Sequence, residues 1–374
     1  MTADRRHQGR YEEEPFVVHT LARTSAPRLL LTGALGLVLA LGGCSDEPTE
    51  APVPSTRAAD IAADKVSPPQ PVVPPTWPLT GVAAADVVNR PALAVKIENP
   101  PEVRPQTGLD QADVVWEQVV EGGVTRFVAV YHSVVPDEVG PIRSVRPMDP
   151  AIAAPLHGVM AFSGGQPGFV RALADAGLQI VSHDEGDPGF YRTRGRAAPH
   201  NVFGTPATFL SQADAGHQAS PGEQFRIARR PELATAAASG TPAGTVALTM
   251  SRSSQPSWTW DAATATWLRS ESGTPANAAS GARLAATNVV VLRVDLIDSG
   301  TTDPAGSPVP ETRLTGTGEA LVATGGRTVA ATWSKDDLAT PLALVGADGQ
   351  PVQLAPGKTW VELVPNGTGS VTLG

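Results

Sequence analysis

The chain has 374 residues, a formal net charge of −9 and 17% charged residues. Its length and a hydrophobic content of 41% fit one large domain or two smaller ones, and 37 Gly with 36 Pro favour many turns and short elements. Phosphate binding to nucleic acid needs a clustered basic face, and this acidic sequence shows no such cluster. A nucleic-acid partner is therefore not expected.

An export signal is predicted in residues 1–44. An apolar run at residues 29–41 follows the basic Arg28 and ends in small residues before the single cysteine, Cys44. A run this short with one basic flank is typical of a signal peptide and not of a membrane span. A cysteine at its end resembles the bacterial lipobox, so we expect diacylation (palmitate) at Cys44 and a lipid anchor on the extracytoplasmic face of the cell membrane. The alternative is a hydrophobic helix with a chance cysteine. The segment before the run is long for a signal, so a translation start near Val17 is a further hypothesis.

A tether is predicted in residues 45–78. This segment is rich in Pro, Ala, Thr, Ser and acidic residues, with prolines accumulating at its end. Such a composition cannot bury enough apolar surface to fold, and its prolines favour an extended spacer. We expect a disordered tether that holds a folded body away from the membrane.

An α+β domain is predicted over residues 79–234. Short apolar runs predict strands, and helical spacing of apolar residues predicts helices. The predicted strands are residues 92–97, 112–120, 125–132, 157–162 and 178–181, and the predicted helices are 149–156, 168–176 and 205–213. Gly122 and Gly123 predict a hairpin turn between the second and third strands.

A smaller β-rich domain is predicted over residues 245–374, after an Ala-, Pro- and Gly-rich boundary. Its strand candidates are residues 245–250, 257–260, 266–269, 288–295, 319–323, 328–333 and 359–364. Trp258, Trp260 and Trp267 are interpreted as hairpin core, with a glycan-stacking face as the alternative. The predicted fold class is α+β, with a mixed sheet and helices first and a smaller β-rich domain after it.

Charged residues inside the apolar strands of the first half indicate a polar cluster. Glu117 and Glu121 lie in one strand at even spacing, which predicts that both side chains share one face. Buried charge is costly unless it is paired, so carboxylates near several arginines indicate a structural salt-bridge network or a polar binding cleft. The candidate catalytic residues are Glu117, Glu121 and His200. The candidate ligand-binding residues are Arg104, Arg126, Arg143, Arg146, Tyr191, Arg192 and Asn201.

Other chemistries have weaker signals. Lipidation would consume the only cysteine, and no G-x-S-x-G motif supports a serine triad. His183, Asp184 and Asp187 are weak metal-ligand candidates, and a solvated acidic turn is the preferred interpretation. No metal site and no cofactor are therefore expected. The SGGQPG segment at residues 163–168 lacks the lysine of a P-loop, although an anion at the following helix remains an alternative.

A family resemblance is carried by three segments. They are RPQTGLDQADVVWEQVVEGGVTRFVAVYHSVVPDEVGPIRSVRP at residues 104–147, APHN at 198–201 and PGKTWVELVP at 356–365. Together they resemble the YerB-like bacterial lipoproteins, a domain of unknown function numbered 3048, from about residue 78 to the end. The resemblance implies a lipid-anchored, extracytoplasmic protein with two domains of the α+β class. It implies no reaction.

Three hypotheses of function follow. The first is a cell-envelope lipoprotein that binds a polar or anionic ligand, such as a cell-wall polymer, or an envelope partner protein. The second is a hydrolase or transferase on cell-wall polymers, with Glu117 or Glu121 as general base and His200 as acid–base partner. The third is a purely structural module. Geometry separates them, because the first two require the acids, arginines and His200 to line one open cleft.

Overall fold

The computed structural model describes residues 73–374. The predicted signal, the lipidation site Cys44 and most of the predicted tether lie outside the described residues. The described residues form one compact unit. In the described part of the chain, every helix is too short or too polar to span a bilayer.

The first half of the described chain contains seven strands. They are β1 (Leu93–Glu98), β2 (Val114–Val119), β3 (Thr125–Tyr131), β4 (Val159–Phe162), β5 (Gln179–Ser182), β6 (Phe190–Arg192) and β7 (Val202–Gly204). Four α-helices are short. They are α1 (Asp149–Ala153), α2 (Pro167–Asp175), α3 (Pro206–Leu210) and α4 (Thr235–Ser239).

The second half is made almost entirely of strands. They are β8 (Thr241–Pro242), β9 (Thr245–Thr249), β10 (Pro256–Asp261), β11 (Thr266–Glu271), β12 (Thr274–Pro275), β13 (Ala285–Ala286), β14 (Asn288–Thr302), β15 (Pro308–Arg313), β16 (Gly316–Thr324), β17 (Arg327–Lys335), β18 (Ala343–Gly346), β19 (Thr359–Pro365) and β20 (Ser370–Leu373).

One large sheet runs through both halves of the chain. Its strand order is β18-β17-β16-β14-β19-β2-β3-β1-β4-β5, with β15 beside β14 and β8 beside β17. The halves join where β19 pairs in parallel with β2, over the register Thr359↔Val114 to Glu362↔Glu117. A six-stranded sheet has the order β12-β11-β10-β9-β20 with β13 beside β11, and β6 pairs with β7.

Alternating side chains give the large sheet two buried faces. One face carries Val115, Val119 and Phe127 and packs against the six-stranded sheet, including Trp258 and Trp267. The other face packs against the helices: Trp116 and Val128 share a core with residues of α1 and α2. Polar residues within these strands therefore lie on one side or the other of a covered sheet.

The broad α+β class is confirmed, although the chain is richer in strands than predicted, with 40% strand and 13% helix. Every predicted strand and helix has a counterpart, and the hairpin joining β2 to β3 turns at residues 121–123 as expected. The strands β6, β7, β8, β12, β13, β15, β18 and β20 were missed, because all but β15 are only two to four residues long and β15 contains two prolines. The predicted domain boundaries stay a prediction.

Candidate functional site

Glu117 and Glu121 lie on opposite faces of the large sheet, so the prediction that they share one face is wrong. Glu117 alternates with Val115 and Val119 and points toward the six-stranded sheet. The strand ends at Val119, and residues 121–123 form a tight turn with Gly122 at φ 70°. Even spacing predicts a common face only while the backbone stays extended, and the turn ends that alternation before Glu121.

One group of charged side chains, here called the arginine cluster, lies at the face covered by the helices. Its members are Glu98, Glu121, Arg126, Arg143, Arg146 and His200. Glu121 pairs with Arg146 at 2.5 Å (Oε1 to Nε) and lies 3.9 Å from Arg126. Glu98 pairs with Arg143 and contacts His200 at 2.8 Å (Oε2 to Nδ1). Five of the predicted site residues therefore converge, and Glu98 links two of them.

The corner at residues 140–147 is held between β1 and β7. Arg143 donates its backbone N–H to Lys96 at 2.8 Å, and Ile142 donates to Val202 at 2.7 Å. Gly140 has φ +157°, and a Cβ there would lie 2.6 Å from the ring of Phe203, so only glycine fits. The two arginines of the corner are therefore fixed by backbone contacts on both sides.

Positive charge exceeds negative charge in the arginine cluster. It holds three guanidinium groups and two carboxylates, those of Glu98 and Glu121. Burial, followed by repulsion from Arg146, lowers the pKa of Arg126 to about 9. Beneath it, burial lowers the pKa of Lys96 to about 8, although Lys96 contacts Asp149 at 2.6 Å. The cationic forms are thus under-compensated, and an additional anion would stabilise them.

The side chains of the arginine cluster differ in their exposure to solvent. The side chain of Arg143 is 24% exposed and that of His200 is 32% exposed, whereas Glu98 is 2% exposed. Arg126 and Arg146 are 11% exposed and lie deeper. A ligand would therefore meet Arg143 and His200 first.

Tyr191, Arg192 and Asn201 lie outside the arginine cluster. They belong to the hairpin of β6 and β7, where Arg192 donates to Asn201 at 2.8 Å and Tyr191 bonds Glu138. This hairpin also carries His200, and its exposed loop adds Arg194. Tyr191, Arg192 and Asn201 are therefore candidates that the structure does not bring together with the five that converge.

A second group, here called the junction cluster, is sealed on the opposite face. It consists of Glu117, Arg269, Glu271 and Glu362, from β2, β11 and β19. Arg269 bonds Glu271 at 2.7 Å and Glu362 at 2.6 Å, and it also pairs with Glu117. Its guanidinium lies 4.6 Å from the ring centroid of Trp360. Arg269, Glu117 and Glu362 have 0% side-chain exposure, so this cluster ties the two halves together from within.

Burial and the neighbouring charges shift the pKa values of the junction cluster. It raises the pKa of Glu117 to about 8, against the opposing effect of Arg269. The pKa of Arg269 is raised as well: burial lowers it, but Glu117, Glu271 and Glu362 together outweigh that effect. Glu117 is fully buried, so a polymeric substrate does not reach its carboxylate in this structure.

Arg104 also differs from the prediction, because it lies beside the junction cluster and not with the other arginines. It contacts Glu271 at 3.3 Å and donates from Nε to Asn99 Oδ1 at 3.0 Å. Asn99 in turn donates to Glu117 at 3.2 Å. The seven predicted ligand-binding residues therefore divide among three places.

The remaining candidates have structural settings. His183 contacts Asp184 at 3.3 Å, whereas Asp187 accepts a hydrogen bond from the backbone of Ser182. Among residues 73–374, His, Cys, Asp and Glu form no group of three arranged to hold a metal. Trp258 and Trp267 are fully buried, which confirms the core interpretation and excludes glycan stacking for both rings.

Sequence reasoning missed the partners that complete both clusters. Lys96 lies in the predicted strand at residues 92–97 and Glu98 directly follows it, so their charge in or beside an apolar run was an available signal. Arg269 and Glu362 also lie in predicted strands, but nothing local pairs them with Glu117. Their distances along the chain from Glu117 are 152 and 245 residues.

Comparisons with known proteins agree with this architecture. The model described as "Protein of unknown function (DUF3048) N-terminal domain" matches residues 79–219, and the corresponding C-terminal domain matches residues 246–361. A curated Bacillus subtilis protein named "Putative lipoprotein YerB" is 34% identical over 128 residues, which span 34% of this chain and 39% of that protein. The crystal structure of the YerB protein from Bacillus subtilis aligns with a TM-score of 0.67 at 23% identity, over 79% of this chain and 99% of that one.

The structural similarity concerns the fold, and the sequence alignment spans well under half of the relative's length. Both family models match in order, and together they cover most of the described residues. The chain therefore belongs to the DUF3048 family of proteins of unknown function.

Proposed function

We propose that this chain is a lipid-anchored protein of the cell envelope that binds an anionic wall polymer through the arginine cluster. The anchor rests on the lipobox-like Cys44 and on the name of the Bacillus subtilis relative, which describes a lipoprotein. The ligand rests on one observation: three guanidinium groups share two carboxylates, and one of them, that of Arg143, is partly exposed. An anion would supply the missing negative charge.

Guanidinium groups suit this task because their planar donors match phosphate and carboxylate oxygens. Arg143 uses Nε for Glu98 and Nη1 for the carbonyl of Pro199 at 3.3 Å, and it remains partly exposed. His200 contacts Glu98 through Nδ1, so its Nε2 is directed away from that contact. Arg143 and His200 are the first groups that an approaching anion would meet.

A linear ligand is favoured by the neighbouring hairpin loop. Arg192 and Arg194 are exposed there, and Arg196 donates to the carbonyls of Val103 and Pro105. A basic segment beside the arginine cluster stands out on a chain of net charge −9. A polymer with repeated negative charges would contact the cluster and the loop together.

The first described residues lie far from the arginine cluster, which supports a ligand that is distant from the membrane. Trp77 packs edge-on against His132, with ring centroids 5.2 Å apart, at the end of β3. Arg126 lies at the start of that strand, so six residues at about 3.3 Å each separate the two ends by roughly 20 Å. An anchor at Cys44 would thus connect to the end of the sheet opposite the arginine cluster.

Binding of poly(glycerol phosphate) to the full-length chain in detergent, measured by calorimetry, tests this proposal. Arg143→Gln removes the most exposed guanidinium of the cluster, and we expect about a tenfold loss of affinity, the effect of one charge-assisted hydrogen bond. Arg229→Gln removes an exposed charge elsewhere and should leave affinity unchanged. Equal affinities in both variants, or no binding by the wild type, would reject the proposal.

A further inference from the structure

A cavity of about 500 Å³ lies beside the junction cluster, away from the arginine cluster. Residues 99–106 form one wall, and residues 271–277 with Leu284 form the other. Ligand pockets typically have volumes of about 300–1,000 Å³ and combine apolar walls with a few placed polar groups. This cavity has that size and composition.

Arg104 presents a fixed donor in this cavity. Its Nε donates to Asn99 Oδ1 at 3.0 Å and its Nη2 donates to the Asn99 carbonyl at 2.8 Å. Within residues 73–374, no acceptor meets Nη1, and the side chain is 25% exposed. A guanidinium held by two hydrogen bonds loses little entropy when it binds a carboxylate.

Glu271 presents an acceptor next to that donor. Its Oε1 accepts two hydrogen bonds from Arg269, at 2.9 and 2.7 Å. Its Oε2 contacts Arg104 at 3.3 Å but accepts no hydrogen bond, although the side chain is only 6% exposed. A buried carboxylate oxygen without a hydrogen bond is costly, so a ligand that donates to it gains that free energy.

The rest of the cavity wall contains an apolar part. It is formed by Pro101, Pro105, Pro275, Ala276 and Leu284, and it lies beside the polar residues Gln106, Ser272, Thr274 and Asn277. A donor, an acceptor and an apolar wall within one small cavity match a molecule that carries a carboxylate, an ammonium and an apolar side chain.

We propose that this cavity binds an α-amino acid with an apolar side chain. The ligand carboxylate contacts Nη1 of Arg104, the ammonium donates to Oε2 of Glu271 from the cavity side, and the side chain packs toward Leu284. A zwitterion leaves the net charge of the site unchanged, which suits a cavity that already contains one cation and one anion.

Calorimetric titration of the full-length chain with leucine tests this site. We expect saturable binding of leucine that 4-methylpentanoate, which lacks the ammonium, and 3-methylbutylamine, which lacks the carboxylate, fail to reproduce. Arg104→Met should weaken leucine binding about tenfold or more. Because Arg104 also bonds Asn99, Thr274→Trp provides a second variant: Thr274 is exposed at the cavity opposite Glu271, and the indole fills the space without removing either charge.

Matched controls separate this site from the arginine cluster. Thr274→Ser and Arg143→Gln should both bind leucine with wild-type affinity. The proposal is overturned if the wild type does not bind leucine, if either single-charge analogue binds as tightly as leucine, or if Thr274→Trp retains wild-type affinity. Loss of leucine binding in Arg143→Gln would overturn the independence of the two sites.

Discussion

The arginine cluster and the junction cluster use the same residue types on the same sheet, but they differ in access to water. In the junction cluster Arg269 is fully buried and bonded to three carboxylates, with no cationic donor directed to solvent. In the arginine cluster, Arg143 and His200 are partly exposed and the guanidinium groups outnumber the carboxylates. A buried arginine surrounded by a larger number of acidic groups holds strands together. Partly exposed arginines that outnumber their carboxylate partners can instead bind an anion.

The largest expected effect tests whether the junction cluster stabilises the fold. Arg269→Met leaves three buried acidic groups without their shared cation, and we expect a loss of about 3–5 kcal/mol in the free energy of unfolding. Arg229→Met, at an exposed position, should change it by less than about 0.5 kcal/mol. Urea unfolding of both variants measures the difference. Similar stabilities would show that the junction cluster does not hold the two halves together.

A second prediction tests whether the arginine cluster binds an anion. Glu121→Gln removes one of two carboxylates beside Arg126 and Arg146, so affinity for poly(glycerol phosphate) should rise about tenfold at low ionic strength. Glu117→Gln alters the sealed face and should leave affinity unchanged. Calorimetry at two salt concentrations measures both, because the gain should shrink as salt screens it. A rise in Glu117→Gln equal to that in Glu121→Gln would remove the distinction between the clusters.

The elements of both clusters were predictable from sequence, but their assignment to faces was not. Short apolar runs located β1, β2 and β3, and they placed Glu117 correctly within a buried strand. The face of Glu121 depends on how tightly residues 121–123 turn, which the two glycines permit but do not specify.

The contacts between residues far apart in the chain could not be predicted from the sequence for a different reason. Glu362 meets Glu117 because β19 inserts between β14 and β2 in the large sheet, and Arg269 reaches both from β11 of the six-stranded sheet. The strand pattern specifies neither arrangement. Arg104 was grouped with the other arginines because it is near them in the chain. The structure instead places it beside Glu271, since the loop at residues 99–106 leaves the sheet on the other side.

The pH dependence of stability gives a third test. The pKa of Glu117 is about 8 in the folded chain and 4.5 for an unperturbed carboxyl, so between these values the folded chain retains a proton that the unfolded chain has released. Stability therefore falls as pH rises through this window. Glu117→Gln lacks this titration, so its stability relative to the wild type should improve by more than about 1 kcal/mol from pH 5 to pH 8. Urea unfolding at both pH values checks this, and a constant difference would contradict the buried, protonated Glu117.

The smallest expected effect concerns Arg194, on the exposed hairpin loop. Among the described residues it has no hydrogen-bond or ion-pair partner, so Arg194→Ala should leave the free energy of unfolding within about 0.5 kcal/mol of the wild type. Its charge acts through water and is screened, so we expect only about a twofold loss of affinity for poly(glycerol phosphate), and none for inorganic phosphate. A loss shared by both ligands would place Arg194 inside the anion site. An unchanged affinity for the polymer would confine binding to the arginine cluster and argue against a linear ligand that follows the loop.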